Sequence, residues 1–329
     1  MICARTPFRV SFVGGGTDLQ GFYSKIPGRV VSTAINKYMY LLIHPHFEKK
    51  NILIKYSKTE LVDNIKHIKH PIVRNILHKF NIHGIDINSI ADIPAGTGLG
   101  SSSAYTISML HALYTYQGRK ITPEKLARDA CEIEIDIMKE PIGKQDQYAS
   151  AYGGLNYIKF LKNETVEVEP ILIDKNKYKL LQDNLVLFYT GETRSASKIL
   201  RDQTAKMKAN KDSINRLEQM AELADDMKYA LINSNLNEFG TILNENWKLK
   251  QSLSPLISNN RIDIFYQRAL KNGALGGKLL GAGGAGFLLF YCEKENQNRL
   301  INSLKDLKLV NFRFDKNGSK IIYNDNIKN

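Results

Sequence analysis

The sequence is poor in cysteine, tryptophan and long apolar runs. Three cysteines, Cys3, Cys131 and Cys292, are scattered over 329 residues, with a single tryptophan. An odd number at wide spacing excludes a disulfide framework and a zinc module, and it suits a reducing compartment. No stretch reaches the ~18 apolar residues of a membrane-spanning helix. The longest, LLGAGGAGFLLFYC, is short and glycine-rich. The opening MICARTPFRV lacks an apolar segment of signal-peptide length, so a cytoplasmic location is expected. His67, His70, His78 and His83 match no metal-binding spacing and read as surface or structural residues.

Arginine is also scarce among the basic residues, at 13 of 46, in a chain of net charge +13. Base reading leans on arginine forks, whereas dispersed lysine forms a solvated surface. No block of five or more like charges occurs. The pattern speaks against nucleic acid and membrane partners. It favours a positive field that draws in a phosphorylated small molecule. With 43% hydrophobic and 24% charged residues, fibrous and disordered chains are excluded. The length implies about two domains.

Strands are predicted over 5–13, 85–93, 155–160 and 184–191, with a strand pair within 30–43. Residues 45–82 read as irregular apart from a helix over 71–80. Thr122 and Pro123 form a helix start, and that helix runs to about residue 139. Further helices are expected over 144–151, 193–208, 211–234, 236–250, 261–271 and 295–306. The polar stretch 162–176 is the best boundary, which divides the chain into 1–165 and 166–329. The residue pattern alone gives an α+β protein of two halves.

What the chain does have is glycine in three places. Twelve of its 23 glycines fall at 14–16, at 96, 98 and 100, and between 276 and 286. Glycine permits positive φ and close approach of backbone to a ligand. Gly96, Gly98 and Gly100 precede Ser101, Ser102 and Ser103 at an expected helix start. The free N–H groups and dipole there bind anions, and serine hydroxyls can reach a phosphate or a hard cation. An ordinary serine-capped helix needs no such glycine ladder. With no lysine after the glycines, the stretch is neither GxxxxGK[ST] nor GxGxxG.

PAGTGLGSSSA, residues 94–104, resembles the second motif of the GHMP kinases, the superfamily of galactokinase, homoserine kinase, mevalonate kinase and phosphomevalonate kinase. RVSFVGGGTD, residues 9–18, resembles its first motif, and KLLGAGGAGF, residues 278–287, its third. They stand in family order and span nearly the whole chain. The resemblance implies a two-domain fold, with a ribosomal-protein-S5-like N-terminal domain and a ferredoxin-like C-terminal α/β domain. It implies ATP bound by Pro94, Gly96, Thr97, Gly98, Leu99, Gly100 and the three serines. It implies magnesium on Ser102 and Glu134, and a catalytic Asp146 with Arg9 beside it.

Galactokinases carry Gly-Glu-His-Thr-Asp in the first motif, where this chain has Gly14-Gly15-Gly16-Thr17-Asp18. That departure turns the resemblance from galactose toward the D-glycero-D-manno-heptose 7-phosphate kinases and, less closely, the fucokinases. GKQDQYASAYGGLN, residues 143–156, and FYTGETRSASKIL, residues 188–200, resemble the heptose kinases too. The implied reaction is phosphorylation of the anomeric hydroxyl of that heptose phosphate. Gly15, Gly16, Thr17, Asp18, Gly283 and Gly284 would border the sugar. Arg194 and Ser195 are the first candidates for its own phosphate, ahead of Lys144, Lys198 and Arg29. Rival readings are a kinase for fucose, mannose or another alcohol, and a regulator that binds nucleotide or sugar without catalysis. A homodimer is left open.

Overall fold

The computed structural model describes residues 1–193 and 196–325. Thirteen strands form two sheets. The first nine-stranded sheet is built on β1 (Ile2–Val13) and β2 (Gly28–Pro45), with β3 (Ile52–Lys55), β4 (Thr59–Val62) and β5 (Ile85–Ala91) beyond β2. β6 (Leu155–Phe160) and β7 (Val166–Pro170) join through the other end of β2. The second sheet holds β8 (Leu185–Tyr189), β9 (Ala274–Leu279), β10 (Phe287–Cys292) and β11 (Lys308–Leu309) in the order β11-β8-β10-β9, all antiparallel. β12 (Phe314–Asp315) and β13 (Lys320–Asn324) return to the first sheet, on β2 and β1. The division expected at 165/166 therefore runs between two paired strands, β6 and β7.

The expected strand pair within 30–43 is one continuous strand. Its partners change along its length: β6 at residues 28–33, β12 at 34–35 and β5 at 39–45. Asn36 and Lys37 fall where the register with β1 shifts between Pro7 and Phe8. They form a bulge and not a turn. Residues 45–82 are less irregular than expected, because β3 and β4 form a hairpin whose β3 pairs in parallel with β5. Four-residue strands are too short to show a period.

Eleven helices complete the described chain. Around the first sheet lie α1 (Gln20–Tyr23), α2 (Pro71–Phe80), α3 (Ser101–Tyr116), α4 (Pro123–Cys131) and α5 (Gln145–Tyr152). With the second half go α6 (Lys175–Asp183), α7 (Ala196–Ala209), α8 (Lys211–Ile232), α9 (Leu236–Leu253), α10 (Asn260–Lys271) and α11 (Lys294–Ser303). Helix α3 is buried on nearly every side from Ser103 to Tyr114, so its sequence shows no polar stripe. One core runs through both halves: Phe8, Phe12, Phe239, Leu243, Leu280 and Phe287 belong to the same buried cluster. Phe12 of β1 meets Phe239 of α9 edge to face at 5.1 Å, a packing that fixes α9 against β1.

Candidate active site

The second glycine stretch makes a cradle. Gly96, Gly98 and Gly100 have φ of 74°, 84° and 76°, a region that costs other residues about 1–2 kcal/mol. Gly100 caps α3 in the left-handed conformation, and no side chain takes the first N–H groups of the helix. These serines do not cap the helix. Its N-terminal N–H groups and dipole are left to attract an anion. The Thr97 hydroxyl closes the loop by donating to the Pro94 carbonyl at 2.9 Å. Thr97 and Leu99 are buried and Pro94 is exposed, so their side chains shape the loop from outside the cleft.

The third glycine stretch lies directly behind. A Cβ on Gly98 would overlap the Leu280 carbonyl oxygen, one on Gly281 would overlap Gly98, and one on Gly286 the Thr97 carbonyl oxygen. Gly283 lines the cleft, while Gly284 turns away and donates to the Ile257 carbonyl at 2.8 Å.

Arg9 reaches the cleft from β1 and is 3% exposed. Its Nε and Nη2 both contact Oδ1 of Asp146, at 2.8 and 2.7 Å, and Nη1 donates to the Gly98 carbonyl at 2.7 Å. The arginine thus ties the aspartate to the second glycine stretch. Asp146 opens α5, and its side chain retains partial exposure to the cleft.

Asp18 lies beside the start of α5, 2% exposed. Its carboxylate accepts from Gly16 N at 2.9 Å, Gln145 Nε2 at 3.1 Å and Gln145 N at 3.2 Å. Burial pushes it above the usual carboxylate range and Asp146 adds to this, against the pull of those N–H groups. Gly143 has no room for a Cβ beside it. Gly15 and Gly16 line the cleft with it. Thr17 does not: its hydroxyl is spent on the backbone of Arg29, donating at 3.0 Å and accepting at 2.9 Å.

Glu134 is 1% exposed and accepts four hydrogen bonds. Ser102 and Thr106 donate to Oε1 at 3.1 and 3.0 Å, and Ser103 and Gln147 to Oε2 at 2.8 and 2.6 Å. Burial raises its pKa despite these donors. The glutamate sits in a π-helical segment, Glu132–Ile137, that follows α4 and widens the helix at this point. A hydroxyl and one carboxylate side by side, next to a helix start suited to an anion, fit magnesium, which takes oxygen ligands and fills its shell with water and phosphate. Among the described residues no cluster of three or more His, Cys, Asp or Glu offers a fuller metal cage.

These walls enclose a cavity of about 380 Å³. Three more polar residues line it, of which Gln203 and Lys250 lie outside every motif quoted above. Gln145 binds Asp18 and keeps Oε1 unpartnered. Gln203 of α7 is 2% exposed, and its Nε2 has no partner beside Gly16. Lys250 of α9 is buried, and burial brings its ammonium down to about 8, with Arg9 adding and Asp18 and Asp146 opposing. The signal for Lys250 was a polar residue on the same helix face as Asn246, which accepts from Gly14 N at 3.1 Å. Arg194 and Ser195 lie outside the described residues. Of the other cations named for a second anion, Lys144 pairs with Glu164, Arg29 with Asp225 at 3.4 Å, and Lys198 is exposed on α7. None of the three lines the cavity.

The GHMP kinases N terminal domain profile matches residues 66–154, and the GHMP kinases C terminal profile matches 227–307. The chain is 29% identical to the D-glycero-alpha-D-manno-heptose 7-phosphate kinase of Campylobacter jejuni, over 97% of this chain and 98% of that one. It is 27% identical to the bifunctional fucokinase/GDP-fucose pyrophosphorylase of Arabidopsis thaliana, over 93% of this chain and 32% of that one. The crystal structure of a D-glycero-D-manno-heptose 1-phosphate kinase from Bacteroides thetaiotaomicron superposes with a TM-score of 0.80 and 26% identity, covering 98% and 100% of the two chains. Lactococcus lactis galactokinase shares the fold, with a TM-score of 0.75 at 17% identity over 97% and 94%.

Proposed function

The chain belongs to the GHMP kinases, a family of ATP-dependent phosphotransferases, and from that premise we propose that it phosphorylates the anomeric hydroxyl of D-glycero-D-manno-heptose 7-phosphate. The product would be the 1,7-bisphosphate, an intermediate toward nucleotide-activated heptose. The observation that carries this reading is the acceptor wall. Asp18 is kept, while glycines stand where galactokinases place Glu and His. The end-to-end similarity to a heptose 7-phosphate kinase supports it.

In this reading the cradle from Gly96 to Ser103 binds the phosphates of ATP through backbone N–H groups and hydroxyls. Ser102 and Glu134 would hold magnesium, which neutralises phosphate charge when bound. Asp18, fixed by Gln145 and Gly16, accepts hydrogen bonds from sugar hydroxyls. Arg9 occupies Oδ1 of Asp146, and the other oxygen faces the acceptor. That oxygen orients the hydroxyl and takes its proton as the phosphoryl group transfers.

The test is ADP release with ATP, magnesium and a panel of the heptose 7-phosphate, mannose, fucose, galactose and mevalonate. Phosphorus NMR of the product would give the position. Turnover with the heptose phosphate alone is expected. Turnover on fucose, toward which the Arabidopsis relative leans, would discard the heptose and keep the kinase.

A further inference from the structure

Lys250 is 5% exposed, and its ammonium lies in the cavity wall between the first and third glycine stretches. Its Nζ donates to the Gly281 carbonyl oxygen, and a Cβ on Gly15 would stand 3.8 Å from it. Among the described residues Lys250 forms no ion pair within 4.0 Å. A buried ammonium whose partner is a neutral carbonyl has lost its water without gaining a counter-charge.

The groups that face it sharpen the imbalance. Arg9 comes from β1, Lys278 from β9, Asp18 from the turn after β1 and Asp146 from α5. Asp146 is already engaged by Arg9, and Asp18 by Gln145 and Gly16. Lys278 is spent on the Phe12 carbonyl at 2.8 Å. Burial pushes the Lys278 ammonium well down, and neither carboxylate pairs directly with Lys250. The Lys250 ammonium lies at Gly281, which packs on Gly98 of the second glycine stretch.

We propose that Lys250 is a catalytic residue that donates to an oxygen of the terminal phosphoryl group of ATP and holds its charge during transfer. The proposal rests on the kinase reading above. In the step, the bond from the terminal phosphorus to its bridging oxygen breaks, and the electron pair leaves with ADP. A bond forms from phosphorus to the acceptor oxygen, whose proton passes to Asp146. Lys250 keeps its proton throughout.

The depressed ammonium adds a pH signature. The free site loses its charge as pH rises through about 8, and a bound phosphoryl anion pulls it back up. Affinity for a nucleotide with a terminal phosphate therefore declines above that pH, and affinity for ADP does not.

The experiment is calorimetric titration of wild type, K250M and K250R with AMPPNP and with ADP, both with magnesium, across pH 6.5–9. We expect K250M to bind AMPPNP at least about tenfold more weakly, the scale of one charge-assisted hydrogen bond, while ADP affinity stays within about threefold. K250R should keep most AMPPNP affinity and lose the decline at high pH, since arginine does not titrate there. With whichever sugar the panel returns, K250M should lower kcat by about 10²–10³-fold and leave the acceptor KM unchanged. Equal weakening of both nucleotides would overturn the proposal, as would a lowered melting temperature with the AMPPNP/ADP ratio intact. A rise confined to the acceptor KM would also overturn it. If K250M does not fold, the wild-type pH dependence and K250R decide the matter. The nucleotide titrations need no acceptor, so failure of the heptose assignment leaves their outcome readable.

Discussion

Arg9 places two nitrogens on a single oxygen of Asp146, at 2.8 and 2.7 Å, and leaves the other carboxylate oxygen to the cleft. Replacing Asp146 by Asn preserves the shape and removes the proton acceptor. kcat should fall by about 10²–10⁴-fold, while the ADP dissociation constant stays near that of wild type. Steady-state turnover and nucleotide titration together check this. A variant with near-normal kcat would take Asp146 out of the chemistry.

Arg9→Lys keeps the charge and loses the fork. One ammonium cannot hold both the Asp146 carboxylate and the Gly98 carbonyl as Arg9 does. We expect at least a tenfold drop in kcat (about 1.4 kcal/mol), with little change in acceptor KM. Equal activity of the two side chains would leave only charge as the requirement.

Glu134→Gln separates function from stability. A carboxyl whose folded pKa is raised favours the protonated folded form. Its ionisation therefore costs stability as pH rises from the ordinary carboxylate range through the raised value. At pH 7.5 without metal, the Gln variant should melt no lower than wild type, although activity falls and the magnesium needed for half-maximal rate rises. Chelation should shift the wild-type melting point in the presence of ATP and leave the variant unmoved. A variant that melts well below wild type would mark Glu134 as structural.

Glycine at 98 is required twice, by a φ of 84° and by the Leu280 carbonyl behind it. Gly118 has a φ of 70° and open space around it. Gly118→Ala should therefore cost about 1–2 kcal/mol, the left-handed strain alone. Gly98→Ala should cost more and also weaken ATP binding. Denaturant unfolding of the two variants makes the comparison, and equal costs would rule out a tight junction between the second and third glycine stretches.

Asp18→Asn bears on the acceptor alone. The change keeps a hydrogen-bonding side chain in the grip of Gln145 and Gly16. We expect the acceptor KM to rise at least tenfold, a loss on the order of one hydrogen bond to a charged group. ATP affinity should be unchanged. An increase in the KM for ATP instead would move Asp18 out of the acceptor wall.

Much of this site was legible because its signals are local. Three glycines before a serine run announce a turn and a helix start within a few residues, and Asp146 sits in a short stretch that opens the next helix. Lys250 and Gln203 were not legible in that way. What makes them cleft residues is packing between distant segments, such as the contact of Phe12 with Phe239 that presses α9 onto β1. The fold shows the same division. The long helices were visible from their period. The short β3–β4 hairpin was not, and the strand pair expected within 30–43 is one strand with a bulge at Asn36 and Lys37.

The edge of β1 is closed by β13, with Ile2 opposite Asn324 and Arg5 opposite Lys320. On the ribosome the strand that bears Arg9 is therefore made first and receives its outer neighbour last. Through most of synthesis its free edge is a pairing hazard that invites chaperone cover. That edge stays open until residues 320–324 have been made, so the first strand of the chain waits for one of its last segments before the sheet is complete.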